Sequence, residues 1–223
     1  IYVNFMVKAM YPLIVVSEKL TRLISSGKKD NDVDRGEFAA MANMGEEQGV
    51  LSDRESAIIQ NLLELRSVNV SDVMTPRIVM FTLNKDLTVD EALKVKTHTP
   101  FSRIPIYEDE PDHLIGFVLR EALLTAQARK QGDMPISELR RDLLAVSDTA
   151  PLSKVLDIFL EQHQHIAMVI NEYGEAKGLL TLEDLVETLL GEEIVDEGDK
   201  VADMRELARK RWQRRAKRMG IEV

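Results

Sequence analysis

Apolar positions along this chain follow two rhythms, and the change between them divides it. Residues 33–68 follow the helical rhythm. Ser52, Asp53, Arg54 and Glu55 have the spacing of a capping box, in which the serine hydroxyl accepts from the amide three residues on and the glutamate reaches back. Behind it, Ile58, Ile59, Leu62 and Leu63 fall on one helical face. Residues 33–68 are therefore expected to form a small acidic helical bundle. From residue 69 onward, short β-rich runs alternate with helical ones. Ser102–Leu124 lines up with Gln164–Val186, and in that alignment Gly116 matches Gly178. Each copy reads as a strand, a polar turn, a second strand beginning at glycine, and a helix. An amphipathic helix precedes each copy. One starts near Thr88, where Thr88 and Glu91 form a further capping box, and runs through Ala92, Leu93 and Val95. The other holds Leu152, Val155, Leu156 and Phe159. The expected fold class is α+β: a helical bundle followed by two β-α-β-β-α units, 69–130 and 131–193. One unit has few core residues, so pairing is the natural way to bury both sheets.

The ends of the chain follow other patterns. Ile1–Val7 and Ala9–Ser17 are apolar, interrupted by Lys8. Spanning a bilayer takes about 20 uninterrupted apolar residues, so no complete span is expected. Residues 1–24 read equally as an amphipathic helix packed on its own domain or as the tail of a membrane segment leaving the bilayer at Lys19 and Arg22. The first residue is Ile, which suggests a piece of a longer chain. Residues 25–32 form a polar linker. After Leu190 the chain turns polar and acidic, and 194–223 comprise this acidic linker and a basic helix from Val201 to Met219, with Gly220 as its terminator.

Charge and composition narrow the function. The net charge of −9 over 223 residues argues against nucleic acid as the main partner, because phosphate backbones select basic surfaces. The basic run Arg205–Arg218 is either a solvated helix face or a contact for an acidic partner or a lipid headgroup. There is no cysteine, so neither a disulfide frame nor a thiolate metal site is possible.

No catalytic set is legible. The histidines are His98, His113, His163 and His165; the last two share one side of a strand, without a third ligand at convincing spacing. Neither a P-loop nor a nucleophile elbow is present. The informative stretch is Gly178–Asp184, where a strand runs into a helix at Thr181. Thr181 and Asp184 have the spacing of a helix cap. A carboxylate at such a junction can also accept from ribose hydroxyls, while the free amides of the helix start attract phosphate. The first copy has Leu119 and Ala122 at these positions. A capping role would serve both copies equally, so the asymmetry favours one functional site.

Asp72–Arg77 (DVMTPR), Ser102–Tyr107 (SRIPIY) and Gly178–Glu187 (GLLTLEDLVE) together resemble the tandem CBS pair of the CorC and cyclin M (CNNM) transporters. Gly45–Arg77 is similar to the acidic bundle that joins that pair to the family's membrane domain, and Tyr11–Ile24 to the exit from that domain. The resemblance implies a CBS pair, 69–130 and 131–193, with ATP in the cleft between its units. Thr75 would face the nucleotide, Arg103 would meet the phosphates, and Ile104 and Pro105 would line the adenosine pocket. Thr181 would touch phosphate or ribose, and Asp184 would hold the ribose hydroxyls. It further implies Mg²⁺ on the phosphates, a homodimer through the CBS pairs, and no enzymatic activity. The membrane domain would move Mg²⁺ or Co²⁺, with this region on the cytoplasmic face of the inner membrane. AMP and ADP are alternative ligands. An adenylate-sensing module of a soluble enzyme or a channel, and a scaffold with an empty cleft, are the competing readings. Many relatives in that family continue into a further C-terminal domain; here the basic segment after Asp199 stands in its place, so that domain is expected to be missing.

Overall fold

A computed structural model describes residues 35–95, 101–194 and 204–218. The calls on 1–32, His98 and Gly220 lie outside them. The chain divides into two compact units, 1–41 and 42–223. Of the first, only 35–41, the start of helix α1 (Arg35–Glu47), is described.

The expected bundle consists of α1 and α2 (Asp53–Glu64), parted at Gly49, which has a φ of 70°. The capping box forms: the Ser52 amide donates to Glu55 Oε2 at 2.8 Å, and the Glu55 amide to Ser52 Oγ at 3.3 Å. Gln60 Nε2 donates to Asn43 Oδ1 at 2.7 Å. No described helix is long and apolar enough to cross a membrane.

The repeat folds as an α+β pair. Its first half contains α3 (Val70–Val73), β1 (Thr75–Pro76), a 3-10 turn (Arg77–Val79), β2 (Leu83–Asn84), α4 (Val89–Val95), β3 (Arg103–Tyr107), β4 (Leu114–Leu119) and α5 (Arg120–Ala128). The second half has a 3-10 turn (Ile136–Leu139), β5 (Leu144–Ser147), α6 (Leu152–Gln162), β6 (Ile166–Ile170), β7 (Ala176–Thr181) and α7 (Leu182–Leu190). The basic helix is α8, Met204–Arg218. Thr88 and Glu91 form their box, with the Thr88 amide donating to Glu91 Oε2 at 2.9 Å.

Strand pairing departs from two self-contained units. One sheet runs β2-β3-β4; the other runs β1-β7-β6-β5, so β1 of the first half joins the second half's sheet. Thr75 pairs with Leu179 and Pro76 with Gly178, antiparallel. The reciprocal exchange is a single bridge, Arg141 on Phe117 of β4. Cores are exchanged as well. Val70 and Val73 pack with Val146, Leu152 and Phe159 of the second half, whereas Ile136 packs with Val89, Ile104 and Ile106 of the first. Each leading segment thus fills the other half's core, which binds the halves without a long linker between them.

Gly116 and Gly178 owe their place to this exchange. A Cβ on Gly178 would lie 2.3 Å from the Thr75 carbonyl oxygen, and one on Gly116 would lie 2.5 Å from that of Arg141. Both glycines sit third in their strands rather than opening them, a correction to the sequence reading. The repeat also slips by one residue at the first strand. Ile106 pairs with Gly116, and Val169, not Met168, pairs with Gly178. The first hairpin loop is one residue longer, which a gapless alignment cannot show.

A third apolar cluster, Leu114, Phe117, Ile166 and Leu179, with Leu119 and Met168 against it, joins the two sheets.

Candidate functional site

The site is built where β7 turns into α7. Thr181 has extended backbone, φ −114° and ψ 162°, and is the N-cap. Its amide donates to Asp184 Oδ2 at 2.6 Å and its hydroxyl donates to the same oxygen at 2.7 Å; the Asp184 amide returns a bond to Thr181 Oγ1 at 3.3 Å. The helix cap anticipated from spacing is therefore present. Both bonds converge on Oδ2, and Oδ1 accepts none from a described residue. Burial pushes the Asp184 carboxyl up to about 6, against the lowering effect of the two Thr181 bonds; Glu183 raises it and the Arg205 guanidinium lowers it. One turn on, burial pushes Glu187 up to about 7, opposed by the Ile194 amide that donates to it and reinforced by the nearby charges of Glu193 and Asp184.

Thr75 lies on the neighbouring strand, half-buried, opposite Leu179 and thus two residues, about 7 Å, along the ladder from Thr181. Its hydroxyl makes no hydrogen bond with a described residue. Arg103 opens β3 in the other sheet, facing Leu119, half-buried and without an ion pair among the described residues. The seam cluster relates these positions. Leu179, Ile166 and Leu119 are the strand partners of Thr75, Thr181 and Arg103, and all three pack in it. The structure therefore brings Thr75 and Thr181 onto one sheet, with Asp184 in the first turn of the helix that follows and Arg103 in the other sheet across the seam. It does not leave Ile104 a surface: that side chain is 2% exposed in the first core, and Pro105 is also buried.

In the first half, α5 starts at Leu119 with no side-chain cap. Its backbone repeats that of α7 without the hydroxyl and the carboxylate.

Two features escaped the sequence reading. Arg205 of α8 donates through Nη1 to the Asp72 carbonyl at 3.1 Å and through Nη2 to Glu193 Oε1 at 2.9 Å. The basic run was legible, but nothing in it names the segment it docks on. At the β3–β4 hairpin, Glu108, Asp109 and His113 bring ligand atoms within 4.8 Å of one another, though Lys85 already pairs with Glu108.

The start of α7 offers a hydroxyl and a carboxylate oxygen, and Arg103 stands in the other sheet across the seam; the Leu182 amide already donates to the His165 carbonyl at 3.1 Å and the Asp184 amide to Thr181, so the helix start would attract an anion chiefly through its dipole.

Comparison with known proteins finds the same tandem of domains. The CBS domain family matches residues 70–129 and 136–191, over half of the chain. A UPF0053 protein of Synechocystis is 35% identical over 219 residues, 98% of this chain and 63% of its own length. The magnesium and cobalt efflux protein CorC of Escherichia coli K12 is 29% identical over 184 residues, 82% of this chain and 63% of its own. The chain thus spans less than two thirds of these relatives. A solved CBS domain of a bacterial CNNM/CorC family Mg²⁺ transporter has a TM-score of 0.69 at 27% identity, over 74% of this chain and 99% of its own. A CBS domain of that family solved in complex with ATP scores 0.59 at 27% identity, over 62% and 98%. Two matches in tandem, exchanging their leading strands about a shared seam, make this chain a member of the CBS domain family, with a domain pair of the kind found in the CorC and CNNM transporters.

Proposed function

We propose that this chain is the cytosolic regulatory region of a membrane transporter for Mg²⁺ or a related divalent cation, and that it senses ATP without cleaving it. The observation that carries this reading is the asymmetry between two otherwise matching helix starts. Only α7 presents a hydroxyl and a half-buried carboxylate, and that carboxylate keeps Oδ1 for a further donor. Asp184 would take the ribose hydroxyls through Oδ1. The N-terminal dipole of α7, Thr75 and Arg103 would hold the phosphates, with Mg²⁺ on phosphate oxygens. On this reading the nucleotide's binding energy goes into conformation rather than into bond cleavage. A relative solved with ATP and the CorC relatives support the ligand and the host.

Helix α7 offers the route from site to membrane. Its N-terminus is the nucleotide site. Its C-terminus meets α2: Asn61 Nδ2 donates to the Leu189 carbonyl at 3.1 Å. Leu65, just past α2, is 2% exposed in the second core. A shift of α7 on ligand binding would therefore move the bundle, which leads toward the membrane domain at the cytoplasmic face of the inner membrane. Homodimers through the CBS pair would double that lever. Nucleotide acts this way only by binding one arrangement better than another.

The test is calorimetry with ATP, ADP and AMP, with and without Mg²⁺. Asp184→Ala and Thr181→Ile should each weaken ATP binding about ten- to a hundredfold, the loss of one such bond in a half-buried site. Leu119→Ala and Ala122→Ser should leave it unchanged. Equal affinity in all four variants would remove the site assignment.

A further inference from the structure

Helix α8 is anchored at two points of one short segment. Arg205 Nη1 donates to the Asp72 carbonyl at 3.1 Å and Arg211 Nη1 to the Ile78 carbonyl at 2.9 Å. The anchors are six residues apart on the helix, about 9 Å, and six apart on the segment. Between them lie Val73, Met74, Thr75, Pro76 and Arg77. The helix packs on β1 and on the 3-10 turn that follows it, and Ala208, midway between the anchors, is 6% exposed. A small side chain there lets the backbones approach. At the same end, Arg205 Nη2 binds Glu193, and its charge reaches Asp184. One helix thus packs on the Thr75 strand, and its first arginine acts through its charge on Asp184, the two residues that a nucleotide would use.

We propose that α8 is an internal competitor for the nucleotide crevice, a basic strap that docks across the Thr75 segment and is displaced when nucleotide binds. The inference rests on the nucleotide reading above. Its physical basis is what holds the helix. Ala208 alone is fully buried among its described side chains, Met204 and Leu207 are half-buried and Trp212 is 45% exposed, so a modest apolar area secures it. The two guanidinium anchors are spent on main-chain carbonyls and a carboxylate, not left facing a phosphate site. Docking of this kind is weak enough for a ligand to reverse. It makes the crevice answer to whatever else engages the strap, and it lowers apparent affinity by the fraction of molecules in which the strap is down.

The experiment uses the full chain. Arg205→Ala/Arg211→Ala should bind ATP about tenfold more tightly, as the strap's hold is lost. That sign is diagnostic, because removing two positive charges otherwise weakens binding of an anion. A matched control, Arg209→Ala/Arg214→Ala, removes two exposed charges without touching the anchors, and should bind ATP no more tightly than the parent. In the parent, saturating ATP should speed amide hydrogen exchange in α8. Equal or weaker ATP binding by the anchor variant, or slower α8 exchange with ATP, overturns the strap while leaving nucleotide binding standing. If neither parent nor variant binds ATP, the nucleotide reading falls, and the strap with it.

Discussion

The last helix of the first half and that of the second begin on matching backbone. At Leu119 the chain enters α5 with no side chain on its free amides; at Thr181 it enters α7 through a closed reciprocal pair. Both helices form, are nine residues long and pack on their sheets. The cap is therefore dispensable for the fold, and the groups that make it in the second half are available for another duty. The strand exchange shows the opposite relation: β1 on β7 and Arg141 on β4 are structural in both halves, yet only β1 brings a hydroxyl beside the capped helix.

Breaking the exchange should have the largest effect. Gly178→Ala puts a methyl group 2.3 Å from the Thr75 carbonyl, a backbone atom that cannot step aside. It should cost about 3 kcal/mol of stability in denaturant melts and should abolish ATP binding, because Thr75 moves with β1. Gly116→Ala should cost a similar amount by forcing Arg141 off β4, while the remaining folded protein still binds ATP. Equal binding losses in the two variants would mean that the halves are not functionally distinct.

A transplant sharpens the same comparison with a smaller effect. Leu119→Thr with Ala122→Asp writes the missing cap into α5. It should raise stability by about 1 kcal/mol, while calorimetry still finds one ATP per chain. The position equivalent to Thr75 is Arg141, so a cap alone does not complete a second site. Two ATP per chain would show that the cap is sufficient.

The smallest effect is one of pH. Burial raises Asp184 to about 6 and Glu187 to about 7, from ordinary values of 3.8 and 4.5. A carboxyl whose pKa is higher in the fold than in the unfolded chain binds its proton more readily when folded. Its destabilising effect is absent below the ordinary value and complete above the raised one, so stability declines from about pH 4 to pH 7. Glu187→Gln should raise the thermal midpoint by a few degrees at pH 8 and leave it unchanged at pH 4. ATP affinity should weaken below pH 6, as Asp184 takes up a proton and accepts less well from sugar hydroxyls. In the first half the shifts run the other way: the Thr88 amide holds Glu91, and Lys85 holds Glu108, below the ordinary carboxylate value.

The capping boxes at Ser52, Thr88 and Thr181 were legible because each uses residues three apart, and local hydrogen bonding suffices to make them. The helix faces and the repeat were legible for the same reason: periodicity is written in near neighbours. The paired glycines were visible as a match, but their cause was not. That cause is the approach of a strand from the other half of the chain, and a single pattern carries no information about which sheet a short strand will join. The one-residue slip in the first hairpin was hidden likewise, since register is set by pairing. Ile104 was expected at a pocket and lies in a core, because burial of a β residue depends on what covers its face. The basic character of α8 could be read off directly; its dock could not, since Asp72 and Ile78 accept through main-chain carbonyls, which every residue possesses. Local chemistry thus named the groups proposed to recognise a nucleotide. Only the exchange of strands between halves, driven by the need of two small sheets to share one buried seam, decided which of those groups stand together.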